Sequence, residues 1–275
     1  MSFSRVTKQA PCPICQHGDW CRVFTDGWAE CMRVQSDKPA KSGGWMHRLG
    51  DAPRRYIPPP PKWPTINATK LMREWLAATS ATALTEFASS LGVSMPSLVA
   101  VCAAWAAPHS AWAFPMCDGY GNVVGIRLRN ERGKFAVRGS RQGIFIGFCQ
   151  PWLTKSAQVV EPQRPKFAES TLFVCEGPTD TAAAVELGLF AVGRPNCCCG
   201  GEEIKVFARR HDCRRIVIIS DNDKPGLDGA RKVGGELKMP FAIYVPPAKD
   251  LRAFVSLGGT RVMLDNTINN TIWNT

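Results

Sequence analysis

Two stretches decide the fold: TLFVCEGPTDTAAAVELG (171–188) and RRIVIISDNDKPGLDGARKV (214–233). Each opens on a short apolar run rich in β-branched residues, passes through turn residues and continues in a helical pattern. An apolar run of that length without alternation reads as a strand buried on both faces, crossed over by the helix behind it. A third run, FAIYV (241–245), follows. The expected class is α/β with a parallel sheet flanked by helices.

All three runs lead into acid. Glu176 closes the first, with Asp180 shortly after it; Asp221 and Asp223 follow the second; Asp250 follows the third. In an open parallel sheet ligands bind at the carboxyl ends of the strands, so these loops are expected to converge on one pocket. Crowded carboxylates resist ionising unless a cation joins them. Mg²⁺ (or Mn²⁺) suits the task, because a few carboxylates and substrate phosphates hold it. Gly177 and Gly226 are expected to allow close backbone approach. Alone, Asp221 and Asp223 read as turn formers; the pairing of strand-Glu-Gly with strand-Asp-x-Asp is what points to a metal.

Working outward, the consecutive Cys197, Cys198 and Cys199 in AVGRPNCCCGGEEI (191–204) are poorly placed to chelate one ion and read as a small-residue turn. Before the first strand, residues 151–170 form a polar connection. The stretch from Ala111 to Phe148 alternates between Gly-containing turns, as a meander of strands does. Arg127, Arg129, Arg132, Lys134, Arg138 and Arg141 cluster there. Any one of them is readily explained as a solvated charge, but together, beside an acidic site, they suit a ligand that carries phosphates. Upstream, residues 67–78 and 82–91 carry apolar side chains at helical spacing, with Asn67 or Thr69 as cap and Gly92 as stop; 94–104 reads as a third short helix. The tail 266–275 is polar and expected to fray.

The front of the chain is different. Residues 1–50 are rich in Cys, Gly and Trp and run into the linker 51–66, where four consecutive prolines favour an extended form. In CPICQHGDWCRVFTDGWAECMR a knuckle is followed by a hairpin turning at Thr25-Asp26-Gly27. A structural zinc wants four Cys or His ligands: Cys12 and Cys15 form the first pair, Cys31 is the third, and Cys21 or His47 the fourth. Trp20, Trp28, Arg22 and Arg33 either grip single-stranded nucleic acid or form a minimal core, the core reading being preferred for Trp28.

Bulk properties agree with these readings. Of 275 residues 45% are hydrophobic and 21% charged, which implies a packed core, and the net charge of +11 suits a polyanionic partner. No apolar run is long enough to span a bilayer, and no secretion signal opens the sequence. The protein is read as cytoplasmic with its twelve cysteines reduced, so their clustering points to metal before disulfides.

The pair LFVCEGPTDTAAAVELG and IVIISDNDKPGLDGARKV resembles the toprim domain shared by bacterial DnaG-type primases, topoisomerases and certain nucleases. The resemblance implies that Glu176 is the acid/base group, that Asp221 and Asp223 hold Mg²⁺, and that Asp180 and Asp250 match further acidic positions. GNVVGIRLRNERGKFAVRGSRQGIFIG (121–147) is similar to the segment preceding that domain in primases, with Arg127 or Arg129, Lys134, Ser140 and Phe145 at matching positions. The Cys12–Cys15 pair resembles the start of the primase zinc ribbon, although Val34 stands where its last cysteine falls.

The order implied is a zinc-binding module (1–50), linker, α+β primase-core subdomain (67–150), connection, toprim domain (171–265) and tail. The function implied is a DNA primase that joins ribonucleoside triphosphates into short RNA on single-stranded DNA. Its zinc module would select the start site. Without a Walker A motif, a separate replicative helicase is the expected partner, and a phage or other mobile element the expected setting. A toprim nuclease, with water as nucleophile, and a non-catalytic nucleic-acid-binding subunit are the alternatives.

Overall fold

The computed structural model describes residues 2–50, 66–148, 171–197, 199–269, 273 and 274. Nearly all of the linker, the 151–170 connection and Cys198 lie outside them. The chain divides into two units, Met1–Lys62 and Trp63–Thr275.

The first unit is an antiparallel meander of β1 (Phe3–Arg5), β2 (Arg22–Phe24), β3 (Trp28–Cys31) and β4 (Trp45–Arg48), in that order across the sheet. The β2–β3 hairpin turns where expected, and Gly27, at φ +85°, takes the left-handed conformation that closes it. So short a sheet has little apolar interior: among the described residues Val6, Ala29, Cys12, Cys21 and Cys31 are its buried apolar ones. Polar pairing supplements them. Buried Glu30 faces Arg22 at 3.4 Å and accepts a hydrogen bond from the Ser42 hydroxyl.

The second unit begins with α1 (Ala68–Ala78), α2 (Ala81–Leu91) and α3 (Met95–Ala100). Asn67, rather than Thr69, caps α1, its Oδ1 accepting the Lys70 N–H at 2.9 Å. Gly92, at φ +69°, ends α2. The third helix is shorter than expected. It stops at Ala100, Cys102 turns left-handed at φ +54°, and Ala104–Ala106 is strand β5. Ladder bonds to β6 and the Trp105 N–H bond to Thr79 Oγ1 outweigh the helix preference of alanine.

The meander continues with β6 (Ala111–Cys117), β7 (Val123–Asn130) and β8 (Gly133–Ala136). The short β9 (Phe145–Ile146) then leaves it for the main sheet, while Ile144 and Cys117 exchange backbone bonds of 2.7 and 2.8 Å. The two sheets are thus tied together through one strand.

The main sheet alternates β10 (Thr171–Glu176), α4 (Gly177–Glu186), β11 (Ala191–Arg194), α5 (Gly201–Arg210), β12 (Arg215–Ile219), α6 (Lys224–Leu237) and β13 (Phe241–Tyr244), followed by α7 (Leu251–Ser256) and α8 (Arg261–Asn269). Its order is β13-β12-β10-β11-β9, the first four strands parallel and β9 antiparallel at the edge. Phe173, Cys175, Val217 and Ile219 meet α4, α7 and α8 on one face, while Leu172, Val174, Ile216 and Ile218 meet α5 and α6 on the other. Burial on both faces is why the sequence does not alternate.

AVGR, ahead of the cysteines, is β11, a strand not expected from the sequence, pairing in parallel with β10 from Phe173↔Ala191 to Glu176↔Arg194. The tail does not fray where it is described: α8 runs to Asn269, and Asn274 exchanges backbone bonds of 2.9 and 2.8 Å with Phe241. β13 is an edge strand whose open groups accept that pairing, and Trp273 lies under Arg215 at 4.9 Å. Among the described residues no helix is long and apolar enough to cross a membrane.

Candidate active site and metal centre

The carboxyl ends of β10, β12 and β13 form an acidic rim. Glu176 is the last residue of β10 and Gly177 turns the chain into α4. A Cβ on Gly177 would meet nothing, so its φ of +78° is what requires glycine, not close approach. At Gly226 close approach is real, because a Cβ would lie 2.7 Å from the Asp221 carbonyl oxygen.

Asp180, in the first turn of α4, is buried; burial first, then the charges of Asp250 and Asp221, push its carboxyl up to about 7. Asp221 is pushed up to about 6 by burial and then by Glu176, Asp250 and Asp223, with Lys134 opposing. Acidic groups from three separate loops therefore sense one another. Two of them also cap helices. Asp223 Oδ1 accepts the Gly226 N–H at 2.7 Å, and Asp250 Oδ1 accepts the Ala253 N–H at 2.7 Å. The turn-forming role of the Asp-x-Asp pair thus falls to Asp223. Arg252 stands beside them, its Nη2 3.5 Å from Asp250 Oδ2 and its backbone N–H donating to Asp180 Oδ1 at 3.3 Å.

The basic strand leans on this rim. Arg127 and Arg129 share one face of β7: Arg127 Nη2 donates to the Pro195 carbonyl at 3.1 Å, and Arg129 Nη1 to Thr179 Oγ1, in α4, at 3.0 Å. Burial lowers both guanidinium pKa values. Lys134 lies opposite Arg129 in the β7–β8 ladder. Arg138 and Arg141 lie beyond β8, both exposed. Ser140 accepts the Ile126 N–H at 3.0 Å and Phe145 is buried beneath Arg127, so both support the strand from behind.

One rim residue is not apparent from the sequence. Arg194, at the end of β11, is fully buried and donates from Nη2 to Glu176 Oε1 at 2.9 Å and from Nη1 to the Cys197 carbonyl at 2.6 Å. No strand is expected there from the sequence reading, which hides it. The signal was the apolar run FAV after a helix, the same mark that located β10 and β12.

In the first unit the Sγ atoms of Cys12, Cys15, Cys21 and Cys31 all lie within 4.8 Å of one another. Among the described residues this is the one group of three or more candidate ligands gathered so tightly; the carboxylates form no such closed cage. Cys15 and Cys21 sulfurs are 3.7 Å apart, close to the edge of about 3.8 Å for a tetrahedron with Zn–S bonds of about 2.3 Å. Backbone N–H groups of Met32 and Val34 point at Cys21 and Cys31 sulfurs, at 3.4 and 3.3 Å. Burial pushes the Cys21 thiol up to about 12, whereas at Cys15 burial is outweighed by hydrogen bonds from the His17 backbone and neighbouring sulfurs, which bring it to about 6. The set fits a structural zinc. His47 is not part of it; its Nε2 pairs with the Val34 carbonyl at 2.9 Å. Arg33 and Arg22 are engaged by Asp19 (2.7 Å) and Glu30, and Trp28 is covered by Lys38 at 4.3 Å, which leaves Trp20 exposed.

No protein-family model and no curated protein matches the sequence. The fold does match solved structures. Against the Aquifex aeolicus primase zinc-binding and RNA polymerase domains the TM-score is 0.57 at 13% identity, over 75% of this chain and 60% of that one. The E. coli primase catalytic core gives 0.54 at 13%, over 74% and 80%. A DnaG primase catalytic domain bound to single-stranded DNA gives 0.53 at 14%, over 74% and 78%. The fold is that of the DnaG catalytic core, accompanied by a four-cysteine group compatible with a zinc ribbon.

Proposed function

We propose that this protein is a DNA primase of the toprim type, which builds short RNA on single-stranded DNA. The observation that carries the reading is the meeting of Glu176, Asp180, Asp221, Asp223 and Asp250, from three loops, at one rim against which a basic strand is hydrogen-bonded. A fold shared with a primase domain bound to single-stranded DNA supports the same reading.

Asp221, Asp223, Asp180 and Asp250, with Glu176, are the residues that would hold Mg²⁺ or Mn²⁺. Two of these carboxyls are pushed up by burial and mutual repulsion, which marks a surplus of negative charge that a cation relieves. Such an ion supplies Lewis-acid stabilisation of the triphosphate and of the departing pyrophosphate. An ion held by a few carboxylates and substrate phosphates needs no closed protein cage. Glu176 takes the proton of the attacking 3′-hydroxyl, Arg194 fixing its carboxylate through Oε1. Arg127, Arg129 and Lys134 orient triphosphate and template phosphates, with Arg138 and Arg141 extending the basic surface. The cysteine module, holding one zinc, selects the start site, and a separate helicase supplies the template.

The test is incubation with single-stranded template, labelled ribonucleoside triphosphates and Mg²⁺ or Mn²⁺. Short RNA is expected, and Glu176→Gln and Asp221→Asn should each cut its yield by about 100-fold or more while template affinity stays nearly unchanged. Template degradation without synthesis would favour a nuclease, and binding alone an accessory subunit.

A further inference from the structure

Residues held opposite one another on neighbouring strands put their side chains on the same face of a sheet. In the meander the pairs Trp105↔Trp112, Trp112↔Arg129 and Arg129↔Lys134 therefore make one row running from β5 to β8. The row spans three strand spacings, about 14 Å. Along it two indoles give way to two cations, and the first cation is bonded to Thr179 beside the acidic rim.

The aromatic end is not sealed core. Trp112 lies flat on Phe87, with centroids 4.2 Å apart and planes 4° from parallel. Trp105 meets Trp112 edge-on at 5.5 Å and remains 37% exposed, its backbone N–H anchored to Thr79 Oγ1 at 2.8 Å. These rings line a cavity of about 920 Å³ that continues to Arg129, Arg132 and Arg252, with Glu131 the only carboxylate in its wall among the described residues. A purely apolar ligand would find three guanidinium groups at the edge, and a free anion would find no use for the indoles. The chemistry that uses both is a flat π-face carried on a repeating anionic backbone. A duplex hides those faces in its own stack, whereas an unpaired strand offers them.

We propose that Trp105 and Trp112 form a base-stacking platform for a single-stranded polynucleotide, whose phosphates are held by Arg129, Arg132 and Lys134 as the strand passes towards the acidic rim. This deepens the primase reading and rests on it only in assuming a nucleic-acid partner. The platform is sequence-tolerant, since every base has a face to offer.

The test compares the full-length protein's affinity for a dT12 oligonucleotide with that for a 12-mer of abasic sites, which keeps the phosphates and lacks the bases. Wild type should prefer dT12 by about 10-fold, and Trp105→Ala should remove most of that preference without changing abasic affinity. Trp105→Phe, which keeps a ring, should restore it, and an unchanged circular dichroism spectrum guards against misfolding. Equal affinity of wild type for the two oligonucleotides overturns the platform, as does an equal loss for both on Trp105→Ala. Displacement of a free nucleoside triphosphate by the Ala substitution, with dT12 binding intact, would assign the cavity to a mononucleotide and also overturn it. Failure of the primase reading shows separately: no RNA is made, yet the dT12 preference persists.

Discussion

Arg194 Nη2 stands 2.9 Å from Glu176 Oε1, and the two residues lie side by side in register at the ends of adjacent parallel strands, the arginine fully buried and the glutamate partly exposed. Removing one partner of a buried ion pair strands the other charge. Arg194→Met is therefore expected to destabilise the protein by about 3 kcal/mol or more. Glu176→Gln should also destabilise, because it leaves the fully buried Arg194 guanidinium without its counter-charge, although the amide oxygen still accepts the hydrogen bond. The comparison is made by urea denaturation, and equal stability of wild type and Arg194→Met would show that the pair contributes nothing.

The Asp180 carboxyl is raised from 3.8 to about 7, first by burial and then by Asp250 and Asp221. The fold prefers its protonated form. Its contribution is thus fully present below about pH 4 and is lost as the pH rises through 7, to the extent of up to about 4 kcal/mol. Without divalent ions, Asp180→Asn should raise Tm at pH 8 and change it little at pH 4. A shift of the same size at both pH values would contradict this account.

Zinc analysis of the purified protein should give about one ion per chain. Replacing Cys21 by Ser should abolish zinc binding as fully as replacing Cys12, whereas His47→Ala should retain the metal. The reason is geometric: Cys21 Sγ lies with the other sulfurs, and His47 Nε2 is engaged by the Val34 carbonyl. Retained zinc in the Cys21 variant would reverse the assignment.

Lys134 is exposed and sits opposite Arg129 in the ladder, so its replacement by Ala should not disturb folding. Binding of single-stranded DNA should weaken to a similar degree for all sequences. The dependence of log K on log salt should shallow by about 0.7 for each phosphate that the variant no longer neutralises. An unchanged salt slope would remove Lys134 from the interface.

The strands at 171–176 and 215–219, the acids that follow them, the hairpin at Thr25-Asp26-Gly27 and the Cys12–Cys15 knuckle were all legible from residue order. Each depends on a local pattern: a doubly buried strand has an unbroken apolar run, and a tight turn needs a residue tolerant of positive φ. Other features were not. Helix-forming alanines at 104 and 106 became strand because β6 offered ladder bonds. Arg194 looked like a loop residue until β11 took its place beside β10, and the choice between Cys21 and His47 waited on where the β3–β4 ladder sent the imidazole. Sequence alone determined which chemical groups this protein carries and on which kind of element. Tertiary structure alone decided which of them face each other, because register and burial are set by contacts between segments distant in the chain, whose energies no local pattern records.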